Sequence, residues 1–81
     1  MKARVEVRLK QGVLDPQGKA VEQGLHGLGF SGVREVRVGK LIEFQVEGAS
    51  SDAIREQVTA MCERVLANTV IESYRIHVEP A

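Results

Sequence analysis

Hydrophobic and charged residues alternate from the start of the chain. Ala3, Val5, Val7 and Leu9 are interleaved with Lys2, Arg4, Glu6, Arg8 and Lys10. A period of two marks a half-buried strand, so a strand is expected over 2–10. The next apolar positions, Val21, Leu25 and Leu28, fall at i, i+4 and i+7, which lines them up on one face of a helix directed at a core. Asp15 is placed to cap that helix, and Pro16 suits its first position because its missing donor would be unpaired anyway. Gly29 suits its end. Gly18, Gly24 and Gly27 lie inside the helix. The pair at 24 and 27 weakens it by about 2 kcal/mol relative to alanine. Close packing on a sheet and close approach of another chain are the two readings of these glycines.

Between 33 and 47 the apolar positions are even-numbered: Val36, Val38, Ile42, Phe44 and Val46, with a break at Gly39-Lys40-Leu41. A two-residue turn at 39–40 would mix the two faces. A three-residue loop at 39–41 pairs Val38 with Ile42 and Val36 with Phe44, and so keeps the apolar face intact. One long bent strand would also preserve it; the hairpin is the expected form. Ser50 or Ser51 then caps a second helix with Asp52 in its first turn and a stripe of Ile54, Val58, Met61 and Val65. Asn68 is expected to end it in the left-handed conformation. Tyr74, Ile76 and Val78 alternate with Ser73, Arg75 and His77 as a last strand.

The order is β-α-β-β-α-β. It predicts an α+β two-layer sandwich, a mainly antiparallel four-stranded sheet with both helices on one face and right-handed crossovers, the ferredoxin-like arrangement. An exposed edge strand in such a sheet can pair with a second copy, so a homodimer is expected.

Composition narrows the function. With 81 residues the chain reads as a single domain over 1–81, small for a nucleotide-binding domain or a two-domain cleft. Eleven basic residues balance eleven acidic ones. That balance argues against a nucleic-acid binder held by phosphates and permits self-association. No apolar run approaches the ~18 residues of a membrane span, and Met1 leads directly into the first strand with no signal-peptide core. The expected location is the cytoplasm.

Candidate chemistry is sparse. Cys62 is the only cysteine, so no intrachain disulfide forms, and with His26 or His77 it makes a poor thiol site because it sits beside an apolar stripe. Gly39-Lys40 lacks the flanking residues of a phosphate-binding loop, with Leu41 where a hydroxyl is needed. Arg34, Arg37 and Lys40 form a small basic cluster that fits a solvated strand face or an acidic partner. Of the aromatics Phe30, Phe44 and Tyr74, the last two fall on core-facing registers, which disfavours base stacking on RNA. The residues alone describe a binding or assembly module.

Several blocks, in order along nearly the whole chain, carry a family resemblance. They are Leu9-Lys10, Val13-Leu14-Asp15-Pro16-Gln17-Gly18 with Ala20-Val21, Val36-Arg37 with Gly39-Lys40, Met61-Cys62-Glu63, Leu66-Ala67-Asn68-Thr69-Val70-Ile71-Glu72, and Tyr74. The chain resembles the PurS family, the small subunit of phosphoribosylformylglycinamidine (FGAM) synthase; Ser73 stands where an acidic residue is common. The resemblance implies a dimer that bridges a PurQ glutaminase and a PurL synthetase in purine synthesis. Together these convert formylglycinamide ribonucleotide (FGAR), glutamine and ATP to FGAM, glutamate, ADP and phosphate, and PurS assists ammonia transfer. It also implies no active site, metal or cofactor on this chain, with ATP and magnesium used by PurL.

Partner contacts are expected from the Lys10–Gly18 loop, the Arg37–Lys40 turn and the Ala67–Glu72 connection: Lys10, Leu14, Asp15, Gln17, Gly18, Arg37, Gly39, Lys40, Asn68 and Glu72. The alternatives are a βαββαβ regulatory domain that binds a metabolite as a dimer, and a small thiol enzyme.

Overall fold

The first strand is the centre of the fold. In the computed structural model, which describes residues 1–80, β1 (Lys2–Leu9) pairs antiparallel on both sides, with β2 (Lys40–Gln45) and with β3 (Glu72–Glu79). Val5 lies opposite Ile42 on one side and Ile76 on the other; Ala3 lies between Phe44 and Val78. The alternation read from the sequence thus becomes one apolar sheet face, on which Ala3, Val5 and Val7 are fully buried. The opposite face is polar and carries the cross-strand pairs Lys2–Glu43 (2.9 Å), Arg4–Glu79 and His77–Glu6 (3.4 Å).

The helix α2 (Ser51–Met61) covers the apolar face, with Ser50 accepting from the Ala53 N–H as its cap. Its core stripe is not the expected one. Ile54 and Val58 are buried, but the next buried position is Cys62, while Met61 is partly exposed and Val65 is 82% exposed. Ile54, Val58 and Cys62 keep ordinary i, i+4, i+8 spacing, and beyond them Val65 falls in a π-helical turn, Cys62–Leu66, in which the Ala67 N–H donates to the Cys62 carbonyl five residues back (3.1 Å). The wider turn changes the rotation of its own residues, turning Val65 outward and leaving Leu66 half-buried. The chain leaves this turn extended at Ala67. Asn68 therefore does not serve as a left-handed cap. It organises the next turn, with its carbonyl accepting from the Ile71 and Glu72 N–H groups and its side chain from the Val70 N–H.

The larger departure lies between α1 and β2. The helix α1 (Pro16–Gly27) has the expected Asp15 cap and Pro16 start. It ends in a Schellman motif: the Phe30 N–H bonds the Leu25 carbonyl and the Gly29 N–H the His26 carbonyl, with Gly29 at φ 98°. Yet α1 makes almost no contact with the sheet. Its stripe is open to solvent, with Val21 46% and Leu28 76% exposed. There is no hairpin at 39–41 and no fourth strand among the described residues; residues 33–39 run without a turn into β2. The sheet has three strands, not four, and one helix on its face, not two.

Hydrogen bonding gives the reason. Residues 33–38 lie alongside α1: the Val38 N–H donates to Asp15 Oδ2 (2.8 Å), the Val36 N–H to Glu22 Oε1 (3.2 Å), and His26 Nε2 bonds the Val33 carbonyl (2.7 Å). Donors that a hairpin would use are taken by the helix. Glu35 adds a left-handed φ of 54°, incompatible with a regular strand. The result is an arm, α1 plus residues 33–39, projecting from the sheet, and the molecule measures 51 × 27 × 14 Å.

Gly18 is the tightest point of the arm, because a Cβ there would run into the Val36 carbonyl oxygen, whereas Gly24 faces open space. Gly18→Ala is expected to destabilise the fold by about 1–3 kcal/mol through overpacking. Gly24→Ala is expected to stabilise it by up to ~1 kcal/mol through helix propensity. Chemical denaturation of the two variants, compared with the parent, checks both signs.

Candidate partner-docking site

Three separate stretches meet at one end of the sheet. The loop after β1 is tied to the connection before β3 by the Lys10 N–H, which donates to the Ile71 carbonyl (2.8 Å). The segment before β2 is tied to the same loop by Arg37, whose Nη1 donates to the Val13 carbonyl (2.8 Å). Lys40 at the start of β2 and Glu72 at the start of β3 flank the end of β1, with Nζ and Oε2 3.9 Å apart.

Between these stretches lies an open concavity of about 360 Å³, bordered by Asp15, Gln17, Gly39, Lys40 and Glu72 together with Arg8. A second, of about 660 Å³, lies beyond Asp15 and takes in Leu14, Lys19, Glu22 and Arg37. Leu14 is 74% exposed, an apolar side chain in a rim of charges.

Of the ten residues expected at partner contacts, seven (Leu14, Asp15, Gln17, Arg37, Gly39, Lys40 and Glu72) border one or both concavities. Lys10 lies just outside, at the end of β1. Gly18 and Asn68 do not join them. Gly18 is buried against Val36, and Asn68 acts through Glu72, whose Oε1 accepts from the Asn68 N–H (2.7 Å). Arg8 borders both concavities and is not among the expected residues. Its place in the β1 alternation marks it only as solvent-facing; the strand register decides that it ends beside Lys40 and Glu72.

Asp15 anchors the site. Its carboxyl is held below the ordinary value of 3.8 by hydrogen bonds from the Gly18 N–H and then the Val38 N–H, with the Arg37 charge adding to both. Cys62 is remote from this end in role and setting. It is fully buried in the core, and burial, with the Glu63 charge beside it, pushes its thiol up. Tyr74 donates its hydroxyl to Glu63 Oε2 (2.7 Å), which, with burial, pushes the phenol up to about 12. That bond fastens β3 to the π turn. No helix among the described residues is long and apolar enough to cross a membrane.

Three-stranded sheet, covering helix and a charged sheet end together describe a small α+β protein. The sequence profile of the PurS family, described as phosphoribosylformylglycinamidine (FGAM) synthase, matches residues 2–80. The PurS subunit of Bacillus subtilis is 49% identical over 78 residues, covering 96% of this chain and 92% of that protein. The crystal structure of Methanocaldococcus jannaschii PurS, one of the subunits of formylglycinamide ribonucleotide amidotransferase in the purine biosynthetic pathway, superposes with a TM-score of 0.89. It is 41% identical and covers 99% of this chain and 96% of its own. A chain in the structure of PurLQS from Thermotoga maritima superposes with a TM-score of 0.86 at 32% identity, covering 94% and 93%. The chain belongs to the PurS family of FGAM synthase subunits.

Three outcomes are expected from these side-chain environments. A carboxyl held low in the folded state stabilises above the unfolded pKa, and that contribution is lost as pH falls through the lower folded pKa. The Gly18 and Val38 amide resonances should therefore titrate together, with a midpoint below 3.8. Asp15→Asn leaves one acceptor oxygen for two donors and should abolish hydrogen-exchange protection at the Val38 amide. The Cys62 thiol should resist alkylation at neutral pH in the native chain and react fully once denatured, as read by mass spectrometry.

Proposed function

We propose that this chain is a non-catalytic bridging subunit of a cytoplasmic FGAM synthase, acting as a homodimer between a PurQ glutaminase and a PurL synthetase. PurQ releases ammonia from glutamine, and PurL uses it with ATP and magnesium to convert FGAR to FGAM. Neither ATP nor the metal is held by this subunit. Free ammonia protonates and is lost to solvent at neutral pH, so docking the two active sites around a closed path has a direct chemical benefit. The PurLQS assembly of Thermotoga maritima, which contains a chain of the same fold, supports the choice of partners.

The observation that carries the reading is the convergence of the Lys10–Gly18 loop, the Arg37–Lys40 segment and the Ala67–Glu72 connection at one sheet end. Leu14 there supplies an exposed apolar anchor inside a charged rim, the usual anatomy of a protein contact. The one nucleophile of note, Cys62, is sealed in the core.

Reconstitution with PurQ and PurL tests the proposal. Glutamine-dependent amidation should require this chain, while ammonia-dependent amidation by PurL should not. The double reversal Arg37→Glu with Lys40→Glu should weaken complex formation about tenfold or more, with the melting temperature as control for folding. Unchanged assembly and rate would remove that segment from the interface, and activity without the chain would end the subunit reading.

A further inference from the structure

Most of the positive charge at the sheet end is unpaired. Six of the chain's eleven basic residues, Arg8, Lys10, Lys19, Arg37, Lys40 and Arg75, border the concavities there. The third of these concavities, about 460 Å³, lies between Glu6, Lys10 and Arg75. At the opposite end of the strands the cations are paired, Lys2 with Glu43 at 2.9 Å and Arg4 with Glu79. Among the described residues of the charged end, only Lys40 reaches a carboxylate, Glu72 at 3.9 Å. The acids present there are committed within the chain. Asp15 accepts from the Gly18 and Val38 N–H groups, Glu22 from Val36 and Glu72 from Asn68, while Glu6 pairs with His77; Glu35 is the exception. A further concavity, about 440 Å³ between α2 and β2, is by contrast apolar, with Arg64 its one charged residue.

Arg8 is where the three concavities meet, since it borders all of them. Ser73 lies opposite it on β3, and Gly39 presses on its stem: a Cβ at Gly39 would stand 3.3 Å from Arg8 Cγ. Neither neighbour carries a charge to occupy the guanidinium, and Arg8 is exposed. An unpaired guanidinium presents N–H donors in a fork that matches the two oxygens of a carboxylate or a phosphate. Two observations favour the carboxylates of a protein over the phosphates of a nucleic acid. Glu6, Asp15, Glu35 and Glu72 are interspersed among the cations and would repel a continuous run of phosphates. Leu14, 74% exposed beside the second concavity, offers an apolar contact that a phosphate backbone has no group to fill.

We propose that Arg8 receives a carboxylate from an acidic segment of the partner protein, with Lys10 and Lys40 flanking it and an apolar residue of the same segment resting on Leu14. The inference deepens the bridging-subunit reading and rests on it. That reading brings a partner to this end, and the unpaired cations fix the sign of the surface the partner presents. Charge of opposite sign on the two surfaces speeds their encounter and sets their register.

Carbodiimide coupling tests this in the complex reconstituted from the full-length chain, PurQ and PurL. The reagent joins a lysine amine to a carboxylate in direct contact, so mass spectrometry should find Lys10 or Lys40 bonded to an Asp or Glu of a partner. Arg8→Gln, at an exposed position, should raise the Kd of assembly about tenfold or more, with the melting temperature unchanged. The parent's Kd should also rise more steeply with ionic strength than the variant's. Normal assembly with Lys10 and Lys40 uncoupled, and a Kd indifferent to Arg8→Gln, would overturn the acidic segment and leave the bridging-subunit reading standing. Loss of the complex on nuclease treatment would overturn it in favour of a nucleic acid. Failure of the parent chain to assemble at all would end both readings.

Discussion

One carboxylate determines how the chain divides into sheet and arm. Asp15 accepts from the Gly18 N–H at the start of α1 and from the Val38 N–H ahead of β2, at 2.8 Å each. Capping a helix is a local task; holding a residue 23 positions away is not. By doing both with its two oxygens, Asp15 keeps residues 33–39 beside α1 and takes a backbone donor that a hairpin with β2 would use. The three-stranded sheet, the open edge of β2 and the uncovered concavity beside α2 all depend on that choice. Both bonds are short, and the one from Gly18 is buried, which makes it worth more than a surface contact.

The same arrangement builds the charged end of the sheet. Because the arm leaves the sheet at Lys10–Asp15 and returns at Val38–Lys40, its base is where β1 ends and β2 begins. β3 begins there too, since it runs antiparallel to β1. Charged residues far apart in sequence, Arg37, Lys40 and Glu72 among them, are gathered there by strand direction. The cysteine and the tyrosine lie elsewhere, the one packed in the core and the other fastening β3 to the π turn.

The elements themselves were legible. The alternation of Ala3, Val5 and Val7, the even parity of Ile42 and Phe44, and the run of Tyr74, Ile76 and Val78 all place side chains on the observed core face. The cap at Asp15 and the stop at Gly29 were equally clear, and the second cap was narrowed to Ser50 or Ser51, because each is a hydrogen-bonding rule satisfied within five residues. Val36 and Val38 misled because their parity matches a strand whether or not a partner strand exists. Val65 misled because a π turn adds a residue that 3.6-periodicity does not count, and Met61 because the buried stripe runs Ile54, Val58, Cys62 and leaves it at the edge. Arg8 gave no signal of its place beside Lys40 and Glu72, since nothing in an alternating strand says which of its ends will be crowded.

By itself, the sequence determined the two helices, three of the strands, the core face of the sheet and the family resemblance. Each of these rests on local periodicity, local capping or residue order. Only the tertiary structure decided where α1 lies, how many strands the sheet has and which apolar surfaces remain open. Those outcomes depend on competition for the same backbone donors between Asp15 and Glu22 on one side and a neighbouring strand on the other. Such a contest between groups 14 and 23 residues apart leaves no trace in hydrophobic spacing.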